Sequence, residues 1–132
     1  MRIADTGLLK AFLDRRDQHH RWAVRAWESL PAPWVTCEAC LAETAALLGS
    51  AEVVGRLVAG GDVTVAFSYQ DHARRVAALL AKYSDRPMDL ADACLVRLSE
   101  LNPGARVWTV DMADFHIYRR QDGKPVPCSF PD

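Results

Sequence analysis

Hydrophobic positions along the chain follow two spacings, one typical of strands and the other typical of helices. Strands are predicted for the short apolar or β-branched runs MRIAD, WVT, DVTVAF and RVWTV. Amphipathic helices are predicted where apolar residues recur three and four positions apart, in TGLLKAFLD, HHRWAVRAWESL, CEACLAETAALLG, SAEVVGRLVAGG, YQDHARRVAALLAKY and MDLADACLVRLSEL. This alternation predicts an α/β fold, a three-layer sandwich around a mainly parallel sheet of four or five strands.

Proline and glycine residues mark where the predicted elements end. Pro31 and Pro33 end the second helix, and Gly49 closes the third. The tail KPVPCSFPD contains three prolines that cannot donate a ladder hydrogen bond, so it can supply only an edge strand. In the last long helix, the positions with core spacing are Leu90, Cys94, Leu98 and Leu101.

Length and composition favour a small globular protein. The 132 residues, of which 50% are hydrophobic, suffice for one compact domain, which we expect to span residues 1–132. Sixteen Lys and Arg against 17 Asp and Glu exclude a general basic field for nucleic acid and leave only local patches. No segment approaches the roughly 18 uninterrupted apolar residues of a membrane span, and no long apolar run follows a basic start. We therefore expect a soluble cytoplasmic protein that has no membrane partner.

Cys37 and Cys40 form a C-x-x-C pair at the start of a predicted helix, where a thioredoxin-type redox pair would lie. Such a pair also calls for a tryptophan immediately before the first cysteine, whereas Trp34 stands two residues too early. The other two cysteines are far apart, so they do not supply the second close ligand pair of a structural zinc site. A thiol oxidoreductase is therefore the less favoured alternative to chemistry at Glu43.

Acidic residues occur where functional groups collect in a parallel sheet. Asp5 ends the first predicted strand and Asp111 ends RVWTV, so both fall at the carboxyl ends of strands. Glu43 lies on an apolar helix with no basic residue within one turn, and Asp92 lies in the first turn of its helix. Four carboxylates at one edge would repel one another unless a cation lay among them, and hard oxygen ligands suit Mg²⁺ or Mn²⁺. Because such ions polarise a phosphodiester and activate water, the expected chemistry is phosphodiester hydrolysis.

Each of these acids also has a purely structural explanation. Asp5 or Thr6 can cap the first helix, and Asp89 with an acid three residues later fits a capping box. Asp114 can cap the turn DFHIYRR, and Glu43 can simply face solvent. The sequence alone leaves these alternatives open for each acid taken singly.

Four segments in order resemble the PIN domain, in particular the VapC-type toxins of bacterial toxin–antitoxin pairs. These segments are IADTGLLKAFLDRRDQHH, AETAALL, DLADACLVRLSE and WTVDMADF. The resemblance covers essentially the whole chain and places each acid in the strand or helix where the family carries one. It implies a PIN-like fold and a metal-dependent endoribonuclease that uses Mg²⁺ or Mn²⁺.

The resemblance also implies which residues form the site. The expected catalytic and metal-binding acids are Asp5, Glu43, Asp92 and Asp111. Relatives that rely on the acid before Phe115 would place a metal ligand at Asp114, which can share or take the fourth role. Thr6 matches the small hydroxyl beside the first acid, and Asp89 is a secondary residue, either an outer acid or a cap.

Partners and RNA contacts are expected on the same grounds. The resemblance implies a cognate antitoxin protein and a homodimer, with an RNA substrate. Local basic pairs that can contact RNA are Arg15 with Arg16 and Arg119 with Arg120, since they follow Asp5 and Asp111 in sequence. The alternative from another functional class is a non-catalytic PIN-fold module that binds RNA without metal.

Overall fold

The structure, a computed structural model, describes residues 1–31 and 33–132, where short strands alternate with helices. The strands are β1 (Arg2–Ala4), β2 (Trp34–Thr36), β3 (Val63–Val65), β4 (Arg106–Trp108) and β5 (Cys128–Ser129). The helices are α1 (Thr6–Leu13), α2 (His20–Ser29), α3 (Glu38–Leu48), α4 (Ala51–Ala59), α5 (Ala73–Lys82), α6 (Leu90–Leu101) and α7 (Met112–Phe115). A single 3₁₀ turn, Gln70–His72, precedes α5.

The five strands form one parallel sheet in the order β3-β2-β1-β4-β5. In the centre, Ile3 of β1 lies opposite Val35 of β2 on one side and Val107 of β4 on the other. The chain leaves β1 toward one edge and returns to add β4 on the other side, so the strand order reverses between β1 and β4. This topological switch point places the carboxyl ends of β1 and β4 side by side. The predicted α/β fold with a parallel sheet is confirmed.

The two faces of the sheet are covered by different helices, which confirms the three layers. Ile3, Val35 and Val107 pack in a buried cluster with residues of α5 and α6. Their neighbours Ala4 and Trp34 point to the opposite face, because side chains alternate along a strand, and pack with α1 and α2. Alternate residues of each strand therefore face opposite sides of the sheet, and each side packs against its own helices.

Three local expectations are changed or refined by the structure. Leu90 and Leu101, predicted to face the core, are 45% and 41% exposed because they lie at the two ends of α6, beyond the sheet that the helix covers. The tail does form an edge strand, β5, as its prolines predict. The strand predicted as RVWTV ends at Trp108, although the Thr109 amide still donates to the Ser129 carbonyl at 3.1 Å.

None of the helices within 1–31 and 33–132 is both long enough and apolar enough to span a membrane.

Candidate active site

Asp5 is the first residue after β1, at the switch point of the sheet. Its amide donates to the Trp108 carbonyl at 3.1 Å, so the backbone pairing between β1 and β4 fixes its position. The carboxylate is only 7% exposed, and it accepts hydrogen bonds from the Thr6 amide at Oδ1 (2.7 Å) and from the Thr109 hydroxyl at Oδ2 (2.6 Å). Asp5 therefore caps α1, as its structural explanation required, and is also a buried carboxylate at the carboxyl edge of the sheet.

Glu43 is brought to the same edge by α3, which follows β2. The Thr6 hydroxyl donates to Glu43 Oε1 at 3.1 Å, while the Thr6 amide donates to Asp5. Thr6 thus connects the first two predicted acids through two different donor groups. The half-buried Glu43 has a specific contact across 37 residues of sequence, which a side chain that merely faces solvent would lack.

Asp92 lies in the first turn of α6, next to Asp89. The two residues form a capping box, in which the Asp92 amide donates to Asp89 Oδ1 at 2.8 Å and the Asp89 amide donates to Asp92 Oδ2 at 3.4 Å. Asp92 is 8% exposed and accepts a further hydrogen bond at Oδ2 from the Tyr118 hydroxyl, at 3.0 Å. The capping role that the sequence suggested is present, and it holds a nearly buried carboxylate.

Asp111 lies beyond β4 and caps the short helix α7. Its Oδ1 accepts from the Asp114 amide at 3.1 Å, and its own amide donates to the Thr109 hydroxyl at 3.0 Å. The sequence suggested Asp114 as the cap of this turn, but the cap is Asp111, because the chain bends immediately after the strand. Asp114 instead supplies a backbone carbonyl that accepts from the Ile117 and Tyr118 amides.

Burial and mutual repulsion raise the pKa values of all four predicted acids. Burial is the main cause in each case; it raises the pKa of Asp5 to about 6 and that of Asp92 to about 8. The pKa values of Glu43 and Asp111 are raised for the same main reason. The charge of Asp89 raises all four pKa values further, so these carboxylates are close enough to disfavour each other's ionisation.

The carboxylate oxygens of this cluster are the kind of ligand that suits a hard divalent cation. Within 1–31 and 33–132, none of the ion pairs includes any of these carboxylates, so no basic side chain compensates their charge. No three acidic, histidine or cysteine side chains in those ranges are already gathered at metal-binding distances. The oxygens instead accept hydrogen bonds from neutral hydroxyl and backbone donors, which leave the negative charge of the carboxylates available to a cation.

Two polar residues of the site were missed by sequence reasoning. Thr109 donates to Asp5 and accepts from the Asp111 amide, so one hydroxyl lies between the first and fourth acids. Tyr118 donates to Asp92 and is fully buried, which holds its pKa above the ordinary value of the phenol. Neither had a distinguishing sequence signal, because Thr109 lies within the predicted strand RVWTV and Tyr118 follows the end of α7.

The predicted RNA-contacting arginines differ in their availability. Arg15 and Arg16 lie in the turn after α1, and both are exposed. The Arg119 guanidinium donates to the carbonyls of residues 116–118, and that of Arg120 donates to the Pro103 carbonyl. The second pair therefore supports the backbone around Tyr118. In the first pair, Arg16 has a distant ion-pair partner, Asp14 at 4.0 Å, and both side chains remain open to solvent.

The C-x-x-C pair is buried beside the acids and has the wrong electrostatics for thiol chemistry. Cys37 and Cys40 are unbonded thiols with sulfur atoms 3.6 Å apart, and the Cys40 sulfur lies 3.9 Å from Asp5 Oδ1. Contact with Cys40 lowers the pKa of Cys37, but contact with Cys94 and burial outweigh it and raise that pKa to about 12. Contact with Cys37 and burial also raise the pKa of Cys40. Both thiols thus stay protonated near neutral pH and lack the thiolate that redox catalysis requires.

Comparisons with known proteins agree with this architecture. The family model for the PIN domain matches residues 2–120. The crystal structure of Mycobacterium tuberculosis VapC20, described as a toxin that cleaves the sarcin–ricin loop, aligns with a TM-score of 0.72 and 20% identity, covering 81% of this chain and 87% of that chain. A chain of a toxin–antitoxin complex from Klebsiella pneumoniae aligns with a TM-score of 0.61 and 22% identity, covering 87% of this chain and 90% of that chain. No curated protein matches the sequence. At these identities, the two structural likenesses establish a shared fold.

Proposed function

The chain belongs to the PIN domain family, and on that premise we propose that it is a Mg²⁺- or Mn²⁺-dependent endoribonuclease, the toxin of a toxin–antitoxin pair. The observation that carries this proposal is the group of carboxylates at the switch point, which raise one another's pKa values and have no basic partner among the described residues. Such a group is costly to keep ionised unless a cation binds there.

Asp5, Glu43, Asp92 and Asp111 are the residues that would hold the ion, with Asp114 next to the fourth of them. When bound, the cation polarises the phosphodiester and lowers the pKa of an attacking water. The chain's own contribution is orientation, because fixed donors restrict each carboxylate before the ion arrives. Thr6 restrains Glu43, and Thr109 restrains Asp5.

The substrate and protein partner follow from the same proposal. Single-stranded RNA would approach the acidic edge with its phosphates, and the exposed Arg15 and Arg16 are available to contact them. The aligned Mycobacterium tuberculosis protein is described as a toxin that cleaves the sarcin–ricin loop, and the Klebsiella pneumoniae structure is a toxin–antitoxin complex. We extend both features to this chain as expectations: an RNA substrate in the cytoplasm and a cognate antitoxin, with the toxin itself a homodimer.

A cleavage assay tests the catalytic part of the proposal. The purified protein is incubated with total bacterial RNA in Mn²⁺ or in EDTA, and cut sites are mapped by sequencing of 5′ ends. We expect discrete cuts that depend on Mn²⁺ and disappear in Asp5→Asn. Cleavage that persists in EDTA, or an Asp5→Asn variant as active as the parent, contradicts the proposal and favours a non-catalytic RNA-binding module or a contaminating nuclease.

A further inference from the structure

We propose that Tyr118 is a positioning residue of the active site, whose buried hydroxyl fixes the Asp92 carboxylate by binding one oxygen and leaving the other to a cation. The inference rests on the proposed function, since it assigns a role at the same carboxylates. It is carried by a side-chain contact that neither the sequence pattern nor the proposed roles of the acids required.

The contact involves one oxygen of Asp92 only. The Tyr118 hydroxyl donates to Oδ2 at 3.0 Å, and the Asp89 amide approaches the same oxygen at 3.4 Å. Within 1–31 and 33–132, both side-chain hydrogen bonds that Asp92 accepts go to Oδ2, and none goes to Oδ1. Two donors on one oxygen restrict rotation of the carboxylate, so its second oxygen keeps a constant direction relative to α6. A ligand prepared in this way loses less entropy when an ion binds.

The Tyr118 ring is held rigidly enough to do this. It is fully buried and packs edge-on against Phe115 and Tyr83, with ring centroids 5.1 Å apart in both pairs. The hydroxyl of Tyr83 accepts from the Arg119 amide at 2.8 Å, so its partner is a backbone group rather than an acid. A fully buried ring that packs against two other rings transmits little motion to the carboxylate that its hydroxyl contacts.

Tyr118 also connects two parts of the site that are distant in sequence. Its amide donates to the Asp114 carbonyl, and Asp114 belongs to the helix that Asp111 caps. Its hydroxyl reaches Asp92 on α6, 26 residues earlier in the chain. Tyr118 thereby links the segment that carries Asp111, the fourth acid, to Asp92, the third acid, through hydrogen bonds.

The test removes the hydroxyl and nothing else. In Tyr118→Phe, we expect the affinity of the apo protein for Mn²⁺, measured by titration calorimetry, to fall about tenfold. In the RNA assay, we expect kcat to fall while KM for RNA stays within twofold, because the contact lies at a carboxylate rather than at the RNA. The matched control is Tyr83→Phe, which removes a hydroxyl from the same aromatic cluster without touching an acid. Its Mn²⁺ affinity should equal that of the parent.

A cycle of apo variants tests the contact without metal. The free energies of unfolding in urea of the parent, Tyr118→Phe, Asp92→Ala and the double variant should be non-additive, because either substitution removes the hydrogen bond between the two residues. Additive free energies overturn the inference, and so does an unchanged Mn²⁺ affinity in a folded Tyr118→Phe variant. An equal loss in Tyr83→Phe also overturns it, since general loosening would then explain the effect. If the parent itself binds no Mn²⁺, the proposed function fails together with this inference, whereas normal binding by the parent and by Tyr118→Phe defeats this inference alone.

Discussion

The Thr109 hydroxyl donates a 2.6 Å hydrogen bond to Asp5 Oδ2, joining two residues that are 104 positions apart in sequence. The same hydroxyl accepts from the Asp111 amide at 3.0 Å, so its single proton is committed to Asp5. Asp5 is almost completely buried, and this donor lowers the pKa of a carboxyl that burial otherwise raises. The contact therefore stabilises the ionised form of the first acid at a place where solvent cannot.

Replacing Thr109 by valine should destabilise the apo protein, because the shape is kept while both hydrogen bonds are lost. Leaving a buried carboxylate and a backbone amide without partners costs about 1–3 kcal/mol each by general experience with such groups. The free energy of unfolding, measured in urea at pH 8, reports the loss. Thr109→Ser keeps the hydroxyl and is the control. A valine variant as stable as the serine variant would show that the contact contributes nothing.

The stability of the apo protein should contain a component that declines as the pH rises from about 4 to about 8. Asp5 and Asp92 have folded-state pKa values of about 6 and about 8, above the value near 4 of an unfolded carboxyl. Between those limits the folded state binds more protons than the unfolded state, so increasing pH favours unfolding. Each group can contribute a slope of at most about 1.4 kcal/mol per pH unit in its own window.

The comparison of Asp92→Asn with the parent isolates that component. The variant cannot ionise at this position, so its melting temperature should exceed that of the parent at pH 8 and approach it at pH 4. Thermal melts in EDTA across this pH range measure the difference in melting temperature. In separate melts without EDTA, saturating Mn²⁺ should reduce that difference by stabilising the parent. Parallel pH profiles for the two proteins would show that Asp92 does not titrate as described.

The fold was predictable because local patterns and global topology agree in this chain. The β-branched run around Val63–Val65 and the proline-rich tail each produce the strand that they predict, and these two strands form the opposite edges of the sheet. The sheet order could not be predicted, since it depends on which apolar faces pack together after the helices form. Leu90 and Leu101 show the same limit, because helical spacing identifies a face but not where the covering sheet ends.

The places of Asp5 and Asp111 after strands and of Asp92 in a first helical turn were predictable, whereas the groups that donate hydrogen bonds to these residues were not. Thr109 and Tyr118 act through long-range hydrogen bonds, and nothing in their local sequence distinguishes such a contact from ordinary core filling. Asp89 shows the reverse case. Its capping role follows from spacing, but its effect on the pKa of every neighbouring acid depends on the tertiary arrangement.

Alanine at both Cys37 and Cys40 should leave the rate of RNA cleavage within a few-fold of the parent. The thiols are buried and protonated, so they serve as small packing groups at the start of α3, and alanine keeps that position apolar. Some stability should be lost with the sulfur contacts. Cleavage rates in the presence and absence of a reducing agent test the point. Abolished cleavage in a variant that remains folded would restore the thiol alternative.

Glu43→Gln should separate catalysis from stability more sharply than any other change in the site. The amide keeps the length of the side chain and still accepts from the Thr6 hydroxyl, but it removes the negative charge. Burial and the charge of Asp89 raise the pKa of Glu43, so this charge is unfavourable in the apo protein. The apo protein should therefore hold or gain stability, while Mn²⁺-dependent cleavage falls by at least a hundredfold through loss of a charged ligand. Apo thermal melts and RNA cleavage are measured on the same preparation. The control is Glu38→Gln, an exposed acid on the same helix, for which both quantities should match the parent. A Glu43→Gln variant that cleaves RNA at the parent rate would remove Glu43 from the site and leave the proposed group of metal-binding acids without its member on α3.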